Sequence, residues 1–330
     1  MKTAVVLFNL GGPDKPDAVE PFLRNLFSDP AILRVPGFLR GFLARLIARR
    51  RAPVAKAVYD RLGGGSPLLP NTQAQARALE TELKDLGEIR CFIAMRYWHP
   101  FAEETAAEVK RFAPDRIILL PLYPQFSTTT TESSFADWER AAANIGVTAR
   151  TFAVRDYPAD EGFVAAVARL TAELLPQARA AGPTKILFSA HGLPKKIVQA
   201  GDPYAGQVGS SVRAVAARLG LGLEDYEVCF QSRVGPLEWI GPYTDKEIMR
   251  AAQAHQSILL VPIAFVSEHS ETLVELDIEY RHLAEKEGAL GYFRVPTVGT
   301  APEFIAGLGR LVRQALRAGS SSNSSSRMRL

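Results

Sequence analysis

The sequence predicts an α/β fold of two domains, each a parallel sheet covered by helices on both faces. Short apolar or β-branched runs alternate with longer segments of helical periodicity along the chain, which is the pattern of β-α-β units. A pair of strand-and-loop segments occurs twice in the same order. The length of 330 residues suits two domains, since a typical domain has roughly 150 residues.

The predicted strands are continuous apolar runs, which is typical of strands buried on both faces. They cover residues 4–9, 91–95, 116–120, 186–190, 226–230 and 257–261. Helical patterns lie between them, at residues 74–86, 102–112, 163–181 and 211–219. Because strands and helices alternate, we expect the strands of each sheet to pair in parallel.

The repeated segments indicate duplicated halves that meet near residue 155. Residues 6–13 (VLFNLGGP) resemble 186–194 (ILFSAHGLP), and residues 118–124 (ILLPLYP) resemble 259–265 (LLVPIAF). Two such halves leave a cleft at the carboxyl ends of their strands, where open α/β sheets usually bind ligands. We therefore predict an N-terminal domain over 1–155, a C-terminal domain over 156–302, a helix over 303–318 and a disordered serine-rich tail over 319–330.

Composition excludes several classes of protein. The net charge of +4 is small and gives no reason to expect a nucleic-acid partner. Cys91 and Cys229 lie in apolar runs, so we predict buried reduced thiols, and two thiols are too few for a typical iron–sulfur cluster. The apolar run 4–10 is short for a signal peptide, and no run approaches the ~20 residues of a spanning helix. We expect a cytoplasmic protein without a transmembrane segment.

Two glycine-rich segments lack the features of nucleotide-binding loops. Gly11 and Gly12 follow a predicted strand without the G-x-G-x-x-G spacing, and residues 63–67 (GGGSP) have no lysine in the P-loop position. A nucleotide-dependent dehydrogenase is therefore disfavoured. The second segment is interpreted as a loop that lets a flat ligand approach the backbone closely, with a plain tight turn as the alternative.

Residues 32–51 combine an apolar helical stripe with exclusively basic charge. Apolar residues recur at helical spacing from Phe38 to Ile47, and no acidic residue occurs between Asp29 and Asp60. An amphipathic helix packed on the domain is one interpretation. The other is a lip that contacts a membrane surface or admits an amphiphilic anion, because most surface helices mix both signs of charge.

One histidine and a row of glutamates are the candidate catalytic groups. His191 follows a predicted strand at its carboxyl end, where it faces the predicted cleft and can take a proton or ligate a metal; a structural histidine is the alternative. Glu271, Glu275 and Glu279 recur every four residues of a predicted helix, and a solvated acidic face is their alternative interpretation. Because this helix begins after another strand, we expect Glu271 to face His191. One imidazole and one carboxylate suit a transient divalent-metal site.

Six segments resemble the ferrochelatase family in order and spacing, and the resemblance covers nearly the whole chain. They are 9–13 (NLGGP), 63–67 (GGGSP), 123–127 (YPQFS), 189–194 (SAHGLP), 231–239 (QSRVGPLEW) and 271–277 (ETLVELD). The resemblance implies two Rossmann-like, doubly wound domains of the class II chelatase type. It also implies a lyase that inserts Fe²⁺ into protoporphyrin IX, giving protohaem and two protons, as the last step of haem biosynthesis.

The resemblance assigns the metal-site histidine to His191 and the facing glutamate to Glu271, with Glu275 and Glu279 continuing the acidic row. It implies a π-type widening in the helix near Glu268. The residues implied to contact porphyrin and its propionates, or to line the cleft, are Arg51, Tyr59, Ser66, Arg96, Tyr97, Tyr123 and Trp239. The cysteine-bearing extension of animal enzymes is replaced by the serine tail, which favours a bacterial form without a cluster, in which iron is a substrate.

Other functions remain open from the sequence. The enzyme could metallate coproporphyrin, or insert cobalt or nickel. The apolar lip favours the less carboxylated protoporphyrin, and cobalt-type relatives tend to carry a second histidine where Glu271 stands. A porphyrin carrier with the same fold would be expected to lack His191 or Glu271, and both are present.

Overall fold

The structure is a computed structural model that describes residues 1–233, 235 and 237–325, and the side chains up to residue 318. It divides into two compact units. The first contains Met1–Tyr157 and the chain from Ile305 onward, and the second is Pro158–Phe304. The chain thus passes between units two residues after the predicted boundary of 155, and most of its last helix belongs to the first unit.

The first unit contains a four-stranded parallel sheet. Its strands are β1 (Lys2–Asn9), β2 (Glu88–Met95), β3 (Arg116–Pro121) and β4 (Arg150–Ala153). Their order is β2-β1-β3-β4, and the register pairs Asn9 with Met95 and Phe8 with Pro121. The central strands are buried almost throughout, because helices cover both faces of a parallel sheet.

Helices of the first unit follow in chain order. They are α1 (Val19–Ser28), α2 (Gly37–Asp60), α3 (Leu68–Glu82), α4 (Ala102–Phe112) and α5 (Thr131–Asn144), with short 3₁₀ turns at Pro16–Ala18 and Lys84–Leu86. The basic segment 32–51 lies mostly within α2, which continues through Pro53.

The second unit repeats the topology of the first. Its strands are β5 (Thr184–His191), β6 (Tyr226–Gln231), β7 (Ser257–Pro262) and β8 (Gly291–Arg294), in the order β6-β5-β7-β8 and all parallel. The strands that carry the repeated sequence motifs, β1 with β5 and β3 with β7, occupy the same positions in the two sheets. The α/β prediction with two parallel sheets is therefore confirmed.

Helices of the second unit cover this sheet. They are α6 (Glu161–Ala181), α7 (Lys195–Gln199), α8 (Tyr204–Leu219), α9 (Thr244–Gln253), a π-helix (Glu271–Glu279) and α10 (Tyr280–Lys286). Among the residues that the structure describes, no helix is both long and apolar enough to cross a membrane.

The last helix, α11, extends over Pro302–Ser325. The predicted serine-rich tail begins at residue 319, within the bounds of this helix, and its disorder stays a prediction. Residues 326–330 of the predicted tail lie outside the described part of the chain.

Candidate active site

His191 is the last residue of β5, at the carboxyl end of a central strand. Its Nδ1 atom lies 2.6 Å from the carbonyl oxygen of Gly192, so Nδ1 carries the hydrogen and donates it. This tautomer leaves the lone pair on Nε2 free to accept a proton or bind a metal. The imidazole remains 35% exposed, and the Trp239 ring lies beside it, with the ring centroids 6.1 Å apart.

Glu271 opens the π-helix and faces this imidazole. Its Oε1 atom lies 3.7 Å from His191 Nε2, so the structure brings together the two residues that the sequence predicted to face each other. Burial by itself raises the pKa of the Glu271 carboxyl, but His191 and then His269 outweigh burial and lower this pKa to about 2. Glu271 is therefore a carboxylate at neutral pH.

His269 is a site residue that the sequence analysis missed. Its Nε2 atom lies 3.8 Å from Glu271 Oε2, and its Nδ1 atom lies 3.2 Å from the carbonyl oxygen of Ser267. One carboxylate thus stands between two imidazoles that each direct Nε2 toward it. The sequence could have indicated this residue, because His269 comes two residues before Glu271, the first residue of the helix. This spacing places both side chains at the same helix end.

Glu275 is held by donors from three residues in two segments of the chain. Its carboxylate accepts hydrogen bonds from the Ser232 backbone N–H at 3.1 Å, from the Ser232 hydroxyl, from Gln231 Nε2 at 3.3 Å and from the Tyr280 hydroxyl at 3.0 Å. Burial and then the neighbouring Glu271 charge raise the pKa of Glu275. These contacts fix the second carboxylate of the row in one position.

The acidic row continues to the surface along a π-helix. The predicted π-type widening is confirmed, because residues Glu271–Glu279 wind as a π-helix, a rare form that is frequent at functional sites. Glu271 and Glu275 are partly buried, whereas Glu279, at the other end, is exposed. The row therefore leads from His191 toward solvent.

Tyr59 and Ser66 lie together in the first unit. The Ser66 N–H donates to the Pro13 carbonyl at 2.7 Å, which joins the two glycine-rich loops. A Cβ on Gly12 would come 2.5 Å from Ser66 Oγ and 4.0 Å from the Tyr59 hydroxyl, so only glycine permits this approach. Arg51 is exposed on α2, with its guanidinium 5.6 Å from the Phe27 ring centre.

Two residues predicted to line the cleft contact the buried carboxylate of Asp29 in the first unit. Tyr97 is fully buried, and its hydroxyl donates to Asp29 at 2.8 Å. Arg96 donates to Asp29 at 2.9 Å and to Ser133 at 2.8 Å. The assignment of Tyr97 to an open cleft is corrected, because its side chain is buried beside Asp29, which is itself only 4% exposed and needs these donors. The assignment of Arg96 stays a prediction, since its side chain is 20% exposed. Tyr123 packs against the core cluster around β1, and burial raises the pKa of its hydroxyl.

The sequence model of the ferrochelatase family matches residues 2–316. The chain belongs to the ferrochelatase family. It is 55% identical over 318 residues to the ferrochelatase of Caulobacter vibrioides (strain NA1000 / CB15N), covering 96% of this chain and 90% of the relative. It is 54% identical to that of Phenylobacterium zucineum, covering 96% and 92%, and 49% identical to that of Pelagibacter ubique, covering 94% and 91%.

Solved chelatase structures share the fold of this ferrochelatase family member. SirB from Bacillus subtilis with Fe³⁺ has a TM-score of 0.55 at 14% identity and covers 97% of this chain and 98% of SirB. The sirohydrochlorin chelatase SirB from B. subtilis subspecies spizizenii, in complex with cobalt, has a TM-score of 0.54 at 13% identity, covering 96% and 95%. At these identities the likeness shows the class II chelatase fold alone.

The site of this ferrochelatase family member pairs an imidazole with a carboxylate. Within the part of the chain that the structure describes, no three histidine, cysteine or acidic side chains are gathered as a metal-binding set. His191 and Glu271 together supply one nitrogen and one oxygen ligand and leave the other coordination positions of a divalent ion open.

Proposed function

We propose that this protein inserts Fe²⁺ into protoporphyrin IX, giving protohaem and two protons, as a lyase in the last step of haem biosynthesis. The observation that carries the proposal is the pairing of His191 Nε2 with Glu271 Oε1 at 3.7 Å in a chain of the ferrochelatase family. Insertion requires two pyrrole protons to leave while the metal enters, so a base and an open metal site are needed at one place.

His191 is the proposed acceptor of a pyrrole proton, a transient ligand of the entering iron, or both. Its Nδ1 hydrogen bond to Gly192 fixes the ring and leaves Nε2 as the reactive atom. The Glu271 carboxylate lies 3.7 Å from His191 Nε2, beside the atom that would take the proton. A positive charge formed on His191 therefore has a carboxylate already in place beside it.

Glu275 and Glu279 are proposed to carry protons or metal between His191 and solvent. Glu275 is fixed by its four donor contacts, whereas Glu279 is exposed. The pKa of Glu275 is raised toward neutral pH. A group whose pKa lies nearer the working pH takes up and releases a proton more readily.

Porphyrin contacts are proposed for Arg51, Tyr59, Ser66, Tyr123 and Trp239. Trp239 is next to His191 and can pack on a flat ring. Arg51 is the proposed partner of a propionate, because guanidinium matches carboxylate geometry. A macrocycle held at its rim in a puckered form exposes its nitrogen lone pairs to the entering metal.

We also propose that α2 contacts the membrane surface from the cytoplasmic side. Phe38 is 84% exposed and Phe42 is 69% exposed, and the helix carries arginines with no acidic residue before Asp60. Exposed aromatic residues beside basic ones are typical of helices that lie on anionic lipid.

We propose further that iron is a substrate and that no iron–sulfur cluster or other resident cofactor is bound. Burial raises the pKa of the Cys91 thiol, and it raises that of Cys229 to about 12. Cluster ligands are thiolates, and burial of this kind keeps both groups protonated.

The decisive experiment is anaerobic incubation of the protein with Fe²⁺ and protoporphyrin IX, or Fe²⁺ and coproporphyrin, while the Soret and Q bands are followed. The expected result is catalysed metallation of protoporphyrin, seen as the collapse of its Q bands. Metallation of coproporphyrin alone would reassign the substrate. Binding of either porphyrin without metallation would contradict the enzyme and indicate a carrier.

A further inference from the structure

Arg294 binds both ends of the segment that carries the acidic row. It is the last residue of β8, and its side chain is 9% exposed. Its guanidinium donates to Glu268 Oε1 at 2.6 Å and to Asp277 Oδ1 at 2.8 Å, with a further contact to Asp277 Oδ2. Glu268 precedes the π-helix and Asp277 lies near its end, so one side chain spans the helix.

Tyr292 holds the same helix from two residues earlier on β8. Its hydroxyl donates to the Leu276 carbonyl at 2.6 Å, and its own carbonyl accepts from Arg281 at 2.9 Å. Residues two apart in a strand point to the same face, so Tyr292 and Arg294 present their side chains to the helix together. The edge strand β8 thus donates hydrogen bonds to the backbone carbonyl of Leu276 and to the side chain of Asp277, both in the π-helix.

A π-helix needs such external support. Its i→i+5 winding is rare outside single turns, and this one continues through nine residues. Glu268 is itself anchored, because it also accepts the Thr297 backbone N–H at 2.9 Å. A slip of the winding toward an α-helix would move Glu271 along the helix axis relative to His191, which is fixed on β5.

We propose that Arg294, with Tyr292, is a positioning residue that holds the π-helical winding and thereby places Glu271 against His191. Neither side chain touches the reacting atoms in this scheme. Arg294 acts on the metal site through Glu268 and Asp277, in the way that outer residues orient the ligands of metal centres. The kinetic part of the inference rests on the proposed function, whereas the structural part does not.

The rival explanation is an ordinary buried ion pair that contributes only to stability. Arg169 is a control for the loss of a bridging arginine on a more exposed side chain (41% against 9%), because it also bridges two carboxylates of the second unit, with Glu173 at 2.6 Å and Glu303 at 2.8 Å. Arg169 lies on α6, away from the acidic row in sequence. Loss of a bridging arginine is therefore compared at a site that does not hold the π-helix.

The test uses the full-length variants R294Q, R294K and R169Q. Hydrogen–deuterium exchange is measured over residues 268–281, and KM is measured separately for iron and for porphyrin. For R294Q we expect faster exchange confined to that segment and a KM for iron raised about 10-fold or more, the range typical of outer-shell changes at metal sites, with the porphyrin KM unchanged. We expect R294K to recover part of the loss, because lysine keeps the charge but not the fork that binds two carboxylates. R169Q should show neither effect.

Two results would overturn the inference. One is exchange over 268–281 that equals wild type in R294Q. The other is a rise in exchange or in KM that R169Q reproduces. If R294Q fails to fold, Y292F keeps the ion pairs and removes only the hydroxyl bound to Leu276, and the same localised increase in exchange is expected from it. Failure of the wild type to insert iron would contradict the proposed function alone, since the exchange comparison needs no turnover.

Discussion

His191 Nε2 and Glu271 Oε1 lie 3.7 Å apart, although the two residues come from a strand end and from a helix after another strand. The distance is longer than a hydrogen bond. It leaves the imidazole lone pair available while keeping a counterion close. This arrangement suits a base that must accept a proton and a site that must release its metal.

His191→Ala should abolish iron insertion while leaving porphyrin binding largely intact. The substitution removes the base and one metal ligand, and loss of general-base catalysis alone typically costs ~10²–10⁴-fold. Anaerobic insertion rates and porphyrin fluorescence quenching measure the two properties separately. His282→Ala, at an exposed histidine of α10, is the control. A normal rate in the His191 variant would show that the catalytic assignment is wrong.

Glu271→Gln should make the protein less sensitive to acid. The pKa of Glu271 in the folded protein, about 2, lies below its ordinary value of 4.5. The ionised carboxylate therefore stabilises the fold fully above pH ~4.5, and this contribution is lost as the pH falls toward about 2. Urea denaturation is measured between about pH 6 and 3. The free energy of unfolding should fall by about 1–3 kcal/mol more in the wild type than in the variant over this range. Parallel curves for the two proteins would contradict the charge interaction.

Serine at Phe38, Phe42 and Leu46 should reduce binding to anionic vesicles. These side chains are exposed on α2, so their replacement leaves the core unchanged while removing the apolar surface that inserts into lipid. Flotation with anionic and with neutral vesicles, at low and high salt, measures the apolar and electrostatic parts. Serine at Leu223 and Leu290, two exposed leucines of the second unit, is the control. Unchanged flotation of the α2 variant would rule out this membrane contact.

Tyr97→Phe should lower stability and leave the KM for porphyrin unchanged. It removes the hydroxyl that donates to the buried Asp29 carboxylate, and a buried group left short of a partner costs about 1–3 kcal/mol. Tyr226→Phe, at a half-buried tyrosine of β6, is the control. Denaturation curves and porphyrin kinetics are compared for both. A raised KM for porphyrin with wild-type stability would show that Tyr97 contacts the porphyrin.

Strong local patterns made much of the fold predictable. The six predicted strands are all present, since short continuous apolar runs differ clearly from the longer amphipathic pattern of helices. The two strands that were missed, β4 and β8, are four residues long and lie at sheet edges. Short edge strands bury less apolar surface and depend on their neighbour for register, so their sequences carry a weak signal.

The site was predictable only where position along a strand decides direction. A residue at the carboxyl end of a central parallel strand faces the ligand-binding edge, and His191 followed from that rule. The hydrogen-bond donors around Glu275 could not be predicted in this way, because Ser232 and Tyr280 come from other segments. Tyr97 was misplaced for the same reason, since its burial depends on Asp29.

By itself, the sequence determined the α/β class, the duplicated topology, the family and the residue types of the site, because these follow from periodicity and from motifs within single segments. Only the tertiary structure decided that His269 joins Glu271, that Arg96 and Tyr97 serve a buried carboxylate, and that β8 supports the π-helix. The contacts of Asp29 and of β8 join groups that are far apart in the sequence, and the geometry of their packing is set by the whole fold rather than by any one segment.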